Sequence, residues 1–218
     1  MRTIAVIARK GGSGKTTVAA HLAVAAQLAG RVTVVADADP QQSASEVLKP
    51  RSAIGPQVIA TTGRELIGLQ MDAGAAGNDL LVIDTAAGLE ESLSHAIVVA
   101  DLSLLVVRPT FLDIAAAFQT VQVIRRLRRP AIIVLNQAPA TRDGVEPPAV
   151  KRTLEALKLM RVPVAPAILR SRAVYQTAVE TGRSAQELQP DSAAARELAE
   201  LWAFVEHFVF GASAARRA

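Results

Sequence analysis

The chain has 218 residues, 24 of them Lys or Arg against 20 Asp or Glu, for a formal charge of +4; half are hydrophobic but only 3% are aromatic. That length and an aliphatic composition suit one α/β domain built on a buried parallel sheet, and the mild basicity is compatible with a nucleic-acid partner. The absence of cysteine excludes a disulfide framework, a thiolate zinc site and a cysteine-held iron–sulfur cluster.

Met1 to Ala8, "MRTIAVIA", is a short apolar run that ends near glycines and reads as a buried strand. "RKGGSGKTT" follows over residues 9–17, and an unbroken Ala/Val/Leu stretch reaches Leu28, with Gly30 placed as a helix-terminating glycine. Strand, glycine loop and helix in that order are the setting a phosphate-binding loop needs. Gly11, Gly12 and Gly14 let the backbone curl so that its N–H groups converge on an anion, and Ser13 lies within that curl. Lys15 is placed for the β- and γ-phosphates, and the Thr16 hydroxyl for Mg²⁺, with Thr17 opening the helix. The ordinary loop pattern wants glycine where Arg9 stands.

The loop resembles instead the deviant form K-G-G-x-G-K-[ST] of the ParA/MinD ATPases, with Lys10 as the additional lysine. In that family the extra lysine reaches the nucleotide of the other subunit. The resemblance therefore implies ATP and Mg²⁺ as cofactors, a homodimer in the ATP state, and Lys10, Lys15 and Asp39 as catalytic groups. The other reading of Lys10 is a solvated loop cation.

Residues 31–36 read as a second strand running into Asp37-Ala38-Asp39-Pro40-Gln41. Carboxylates at a strand's C-terminal end sit where open α/β sheets bind ligands. ParA-like proteins carry D-x-D-P-Q here, which implies that Asp39 orients the attacking water and that Asp37 lies nearer the metal; an Asx turn before Pro40 is the competing reading. Prolines and glycines interrupt residues 43–78, where a short strand at 57–60 and a helix near 64–73 are expected and no chemistry is assigned. Leu80 to Ile83 is a continuous apolar strand ending at Asp84, the Walker B pattern whose carboxylate holds Mg²⁺ directly or through water. Thr16, Asp37 and Asp84 make the expected metal set. Thr85 to Gly88 would be the switch, with Ala86-Ala87 where relatives carry prolines.

Further strands are expected at 101–108, 131–135 and 162–169. A helix with a T-x-x-D cap begins at Thr110 and ends in Arg125, Arg126, Arg128 and Arg129. Further helices are expected from Pro147–Pro148 to about Met160, over 170–182, and from about Asp191 to Val209. Asn136 closes the fifth of the clear strands. The resemblance makes it an adenine contact, and an Asx turn is the alternative. The fold class expected is doubly wound α/β, a mostly parallel sheet flanked by helices, forming a single P-loop domain over 1–211 with a frayed tail at 212–218.

With no helix-turn-helix region before Met1, the chain is most similar to the short ParA type that partitions plasmids or chromosomes. That reading implies sequence-independent duplex DNA as a partner, a centromere-binding ParB-like adaptor, and a nucleoid-associated location in the cytoplasm. Arg170, Arg172 and Arg196 resemble by position the family's DNA-contacting arginines. The Arg125–Arg129 cluster is a second candidate, although cations also complement a helix C-terminus. The alternatives are positioning of a protein cargo (a chemoreceptor array or a microcompartment) and a MinD-like membrane cycle. Against the membrane, Leu198, Leu201, Trp202, Val205, Phe208 and Val209 follow helical spacing that suits packing, and Glu197, Glu200 and Glu206 would oppose anionic lipid. No apolar run reaches membrane-spanning length, and Arg2 precedes a strand rather than a signal-peptide core.

Overall fold

The structure is a computed structural model that describes residues 1–88 and 90–214. Six parallel strands form one sheet: β1 (Arg2–Ile7), β2 (Thr33–Ala38), β3 (Gln57–Ala60), β4 (Leu80–Thr85), β5 (Leu102–Val107) and β6 (Ala131–Leu135), in the spatial order β3-β2-β4-β1-β5-β6. All the named pairings are parallel, so helices must cross over between strands and cover both faces. Alternate residues of β1 show the result. Ile4 and Val6 pack against α1 (Lys15–Leu28) and α9 (Ala193–Ala214), while Ala5 and Ile7 pack against α3 (Leu66–Ala75), α4 (Glu90–Val99) and α5 (Phe111–Leu127). Ile4, Ala5, Val6 and Ile7 are completely buried, which explains why the strand reads as a continuous apolar run rather than an alternating one.

The elements fall close to the expected spans, with four differences. First, β2 lies two residues further along than expected, so Asp37 belongs to the strand rather than to the turn after it. Second, α2 (Ser43–Leu48) and α8 (Ala185–Leu188) are additional to the expected helices. Third, the expected strand at 162–169 is reduced to isolated bridges, Val164 with Ile133 and Arg170 with Ala138. Pro163 and Pro166 each remove a ladder donor there, so the segment only borders β6 as an irregular edge. Fourth, α9 runs to Ala214, taking in part of the expected tail, and residues 215–218 lie outside the described residues.

The two remaining helices, α6 (Pro148–Leu159) and α7 (Ala173–Glu180), flank the β6 edge. Thr110 caps α5 as expected, its hydroxyl accepting from the Asp113 backbone N–H. On α9, Leu198, Leu201, Trp202, Val205 and Val209 are buried, whereas Phe208, expected to pack with them, is about half exposed at 49%. No helix among the described residues is long and apolar enough to cross a membrane.

Candidate nucleotide site

The expected site residues converge at the C-terminal edge of the sheet, where β1, β2, β4, β5 and β6 end. The phosphate loop leaves β1 and enters α1 through two left-handed glycines, Gly12 at φ 72° and Gly14 at φ 90°. Gly14 is required twice over, because a Cβ there would also lie 2.3 Å from Asn136 Nδ2. α1 lacks a side-chain cap and has no acidic residue in its first turn, so its first N–H groups remain available to an anion.

Lys15 is buried within the loop. Burial lowers its pKa, and Asp84 and Asp39 oppose that shift. Asp84 is fully buried, and neither of its oxygens has a hydrogen-bonding partner of good geometry. Burial pushes its carboxyl up to about 7. The Thr16 hydroxyl and Lys15 favour the ionised form, while Asp37 and Asp39 add to the upward shift. A buried carboxylate left open beside a threonine hydroxyl fits a divalent cation, whose charge would reverse that shift. Thr16 and Asp84 are the residues that would hold it, and the ion would supply charge neutralisation at the phosphates.

Asp37 is equally buried but engaged. The Ser45 backbone N–H and hydroxyl each donate to Oδ2 at 2.8 Å, and the Asp39 N–H donates to Oδ1 at 3.3 Å. Its carboxylate organises the turn into α2. Asp39 is half-buried and closes the Asx turn that the sequence also allowed, Oδ1 accepting from the Gln41 N–H at 2.9 Å. It remains close enough to Lys15 and Asp84 to act on both electrostatically.

Lys10 lies apart from Lys15. It borders a crevice with Arg9, Asp113, Ala116 and Thr120 on the α5 side of the loop. Beside the loop on its other flank opens a cavity of about 470 Å³ whose walls include Thr17, His21, Asn136, Arg172 and Tyr175. It is large enough for the base and ribose of a nucleotide whose phosphates occupy the loop. His21 is buried there, edge-on to the Tyr175 ring, and burial lowers its pKa to about 4.

Asn136 borders this cavity, and one of its two Nδ2 N–H groups donates to the Ser13 carbonyl at 2.8 Å, which ties the side chain to the loop. Arg170 and Arg172 do not present free cations. Arg170 is 9% exposed, and its guanidinium pairs with Glu146 and donates to the Pro139 carbonyl at 2.9 Å. Arg172 is held by Glu197, with Nε donating at 3.1 Å. Both pairs stiffen the cavity wall, which does not suit the DNA contacts expected of them. Arg196 is exposed at the start of α9 and donates to the Asp191 carbonyl.

Sequence reasoning missed Arg108, Gln137 and Tyr175. The first two touch the phosphate loop from the ends of β5 and β6. Their sequence distance from it left no local signal.

The family of CobQ/CobB/MinD/ParA nucleotide-binding domains matches residues 4–184. The chain belongs to that family. This ParA/MinD-type ATPase domain is 31% identical over 196 residues to the "maintenance of carboxysome distribution protein A" of Halothiobacillus neapolitanus, covering 85% of this chain and 87% of that protein. It is 32% identical over 188 residues to the protein of the same name from Gloeobacter kilaueensis, covering 84% and 83%. Among solved structures, the cell division ATPase MinD of Pyrococcus furiosus superposes with a TM-score of 0.77 at 22% identity, over 95% of this chain and 99% of that one. Apo McdA from Cyanothece also gives 0.77, at 16% identity with the same coverage. These likenesses bear on the fold, and the site described above lies within the span the family matches. ATP and Mg²⁺ are the cofactors that the family and the site geometry fit.

Proposed function

We propose that this ATPase positions a protein microcompartment rather than a plasmid or chromosome. The observation that carries the reading is its identity with two carboxysome-distribution proteins over more than four fifths of each chain. In this reading ATP joins two subunits face to face across their nucleotides, and the dimer holds duplex DNA without sequence preference. An adaptor on the cargo takes the place of a ParB-like protein and stimulates hydrolysis. Lys15, Thr16 and the loop N–H groups bind the nucleotide, Asp84 and Thr16 hold the metal, Asp39 orients the water, and Lys10 reaches the partner's phosphates.

Support for a DNA contact comes from a surface other than the Arg170–Arg172 wall. Arg125, Arg126, Arg128 and Arg129 end α5, and Lys158 and Arg161 end α6. All six are exposed, and Arg125 donates to the Met160 carbonyl, joining the two helix ends. No carboxylate interrupts residues 125–130 or 158–163. The rest of the chain then holds 18 basic against 20 acidic residues, so this edge carries more than the whole net charge. It lies at the N-terminal edge of β6, opposite the nucleotide site, and a face-to-face dimer leaves it open to phosphates.

The test is imaging of labelled cargo and plasmid in a strain lacking this gene. Clustered, unevenly inherited microcompartments with normal plasmid retention are expected. Plasmid loss with evenly spaced microcompartments would overturn the cargo assignment.

A further inference from the structure

The phosphate loop is gripped from outside at three consecutive carbonyls. Arg108 Nη2 approaches the Gly11 carbonyl at 3.4 Å, Gln137 Nε2 donates to the Gly12 carbonyl at 3.0 Å, and Asn136 Nδ2 donates to the Ser13 carbonyl at 2.8 Å. The donors come from the ends of β5 and β6, more than ninety residues away in the chain. Each is itself fixed. Arg108 is tied to Asp113 by two hydrogen bonds, at 2.9 and 3.1 Å. Against the upward push of burial, Arg108 and Thr110 hold the Asp113 carboxyl below its ordinary range. Asn136 is buried, and Gln137 takes a left-handed backbone at φ 51°. A non-glycine residue held there is under strain that the surrounding structure must maintain.

A trans peptide is planar, with its C=O and the following N–H pointing in opposite directions. Fixing the carbonyls of Gly11, Gly12 and Ser13 outward therefore fixes the N–H groups of Gly12, Ser13 and Gly14 toward the opposite side. Those are the donors that a β-phosphate needs. An isolated glycine loop would lose much of its binding free energy in ordering three such peptides. Here the strand ends have ordered them before a ligand arrives.

We infer that Asn136 and Gln137, with Arg108 as a third and longer contact, are positioning residues that preset the anion nest, so that the contact from Asn136 to the Ser13 carbonyl serves phosphate binding. The inference rests on the nucleotide-binding part of the proposed function and is independent of the cargo. It predicts a dependence on phosphate and not on the base.

The experiment is calorimetric titration of the parent, Gln137→Met and Asn136→Asp with ATP, GTP and inorganic tripolyphosphate, each with Mg²⁺. Gln137→Met keeps the side-chain length and removes the donor. Asn136→Asp puts an acceptor against the Ser13 carbonyl. Each variant is expected to weaken all three ligands by the same factor, about five- to tenfold for a lost donor, with the ATP-to-GTP preference of the parent retained. A loss confined to ATP, with tripolyphosphate unchanged, would overturn the inference and return Asn136 to base reading. Unchanged affinity for every ligand would overturn it as well. Should Asn136→Asp fail to fold, Gln137→Met decides, because Gln137 is exposed. A parent protein that binds none of the three would be a failure of the nucleotide reading itself and is thereby distinguished.

Discussion

Asp37 and Asp84 stand side by side in register on β2 and β4, both fully buried, yet Asp37 accepts three hydrogen bonds while neither Asp84 oxygen has a partner of good geometry. Two adjacent buried carboxylates repel each other, and the unsatisfied one takes most of the cost. This difference sorts two chemically identical residues into a turn-forming group and a group left open to a cation.

It follows that Asp84 destabilises the nucleotide-free protein. Its pKa is raised to about 7 in the folded state. The sign is that of a raised acid: any stability from the protonated form is complete below the unfolded pKa and is lost as pH rises through about 7. Asp84→Asn is therefore expected to raise the Tm of the apo protein above pH 7, by about 2–4 °C for each kcal/mol recovered. The same variant should lose the extra stabilisation that Mg²⁺ adds to ATP binding. Thermal melts across pH, with and without Mg²⁺-ATP, check both halves. A lower apo Tm would show that Asp84 is structurally satisfied.

His21 gives the opposite pH signature. Burial lowers its pKa to about 4 from an ordinary 6.5, so the neutral ring is what the fold accommodates. The resulting stability is present above the unfolded pKa and is lost as pH falls toward about 4. His21→Leu should flatten that acid limb in urea unfolding measured between the two values. An acid limb identical to the parent's would assign the loss to other groups.

Much of this site is legible in the sequence because its signals are local. The apolar run of β4 ends at Asp84, the glycines sit beside Lys15, and one short stretch carries Asp37 and Asp39. The features that sequence does not show come from pairings distant along the chain. Asn136 meets Ser13 across 123 residues, and Gln137 meets Gly12 across 125. Arg170 and Arg172 read as free cations because their carboxylate partners, Glu146 and Glu197, lie 24 and 25 residues away. The segment beside β6 reads as a strand for a local reason: its apolar content outweighs Pro163 and Pro166 in the periodicity, whereas hydrogen-bond donors, not hydropathy, decide whether a segment joins a ladder.

Arg170→Ala should accordingly act on the fold. Its guanidinium is nearly buried against Glu146, and that pairing holds the Glu146 carboxyl below its ordinary range. Removing it is expected to cost about 1–3 kcal/mol, toward the low end because Glu146 keeps some solvent. Duplex DNA binding at constant folded fraction should keep its salt dependence. Arg128→Ala with Arg129→Ala should do the reverse, leaving the Tm near the parent's and reducing the salt slope by about one for each phosphate no longer neutralised. Anisotropy titrations with a random-sequence duplex at several salt concentrations separate the two. A reduced slope for Arg170→Ala alone would restore it as a DNA-binding residue.

Lys10 provides the final test, because its place in the structure differs from that of Lys15. Lys15 is buried within the loop near Asp84 and Asp39. Lys10 is half-exposed on the α5 side of the loop, and so lies outside the enclosure that contains Lys15. If the buried lysine serves the phosphates within a subunit, as proposed, a second cation on the same loop acts best on a nucleotide approaching from outside. In a face-to-face dimer, each Lys10 would reach the other subunit's phosphates. The γ-phosphate would then supply the negative charge that lets two cationic loops meet, making the dimer depend on ATP rather than ADP. Lys10→Ala should keep most of the monomer's ATP affinity, weaken the ATP dimer, and lower turnover by roughly 10³-fold, the lower end for a cation supplied across an interface. Light scattering with ATP and with ADP, run beside steady-state hydrolysis, reads both effects. If Lys10→Ala dimerises and turns over like the parent, the second lysine is a solvated loop cation and Lys15 alone carries the phosphate chemistry.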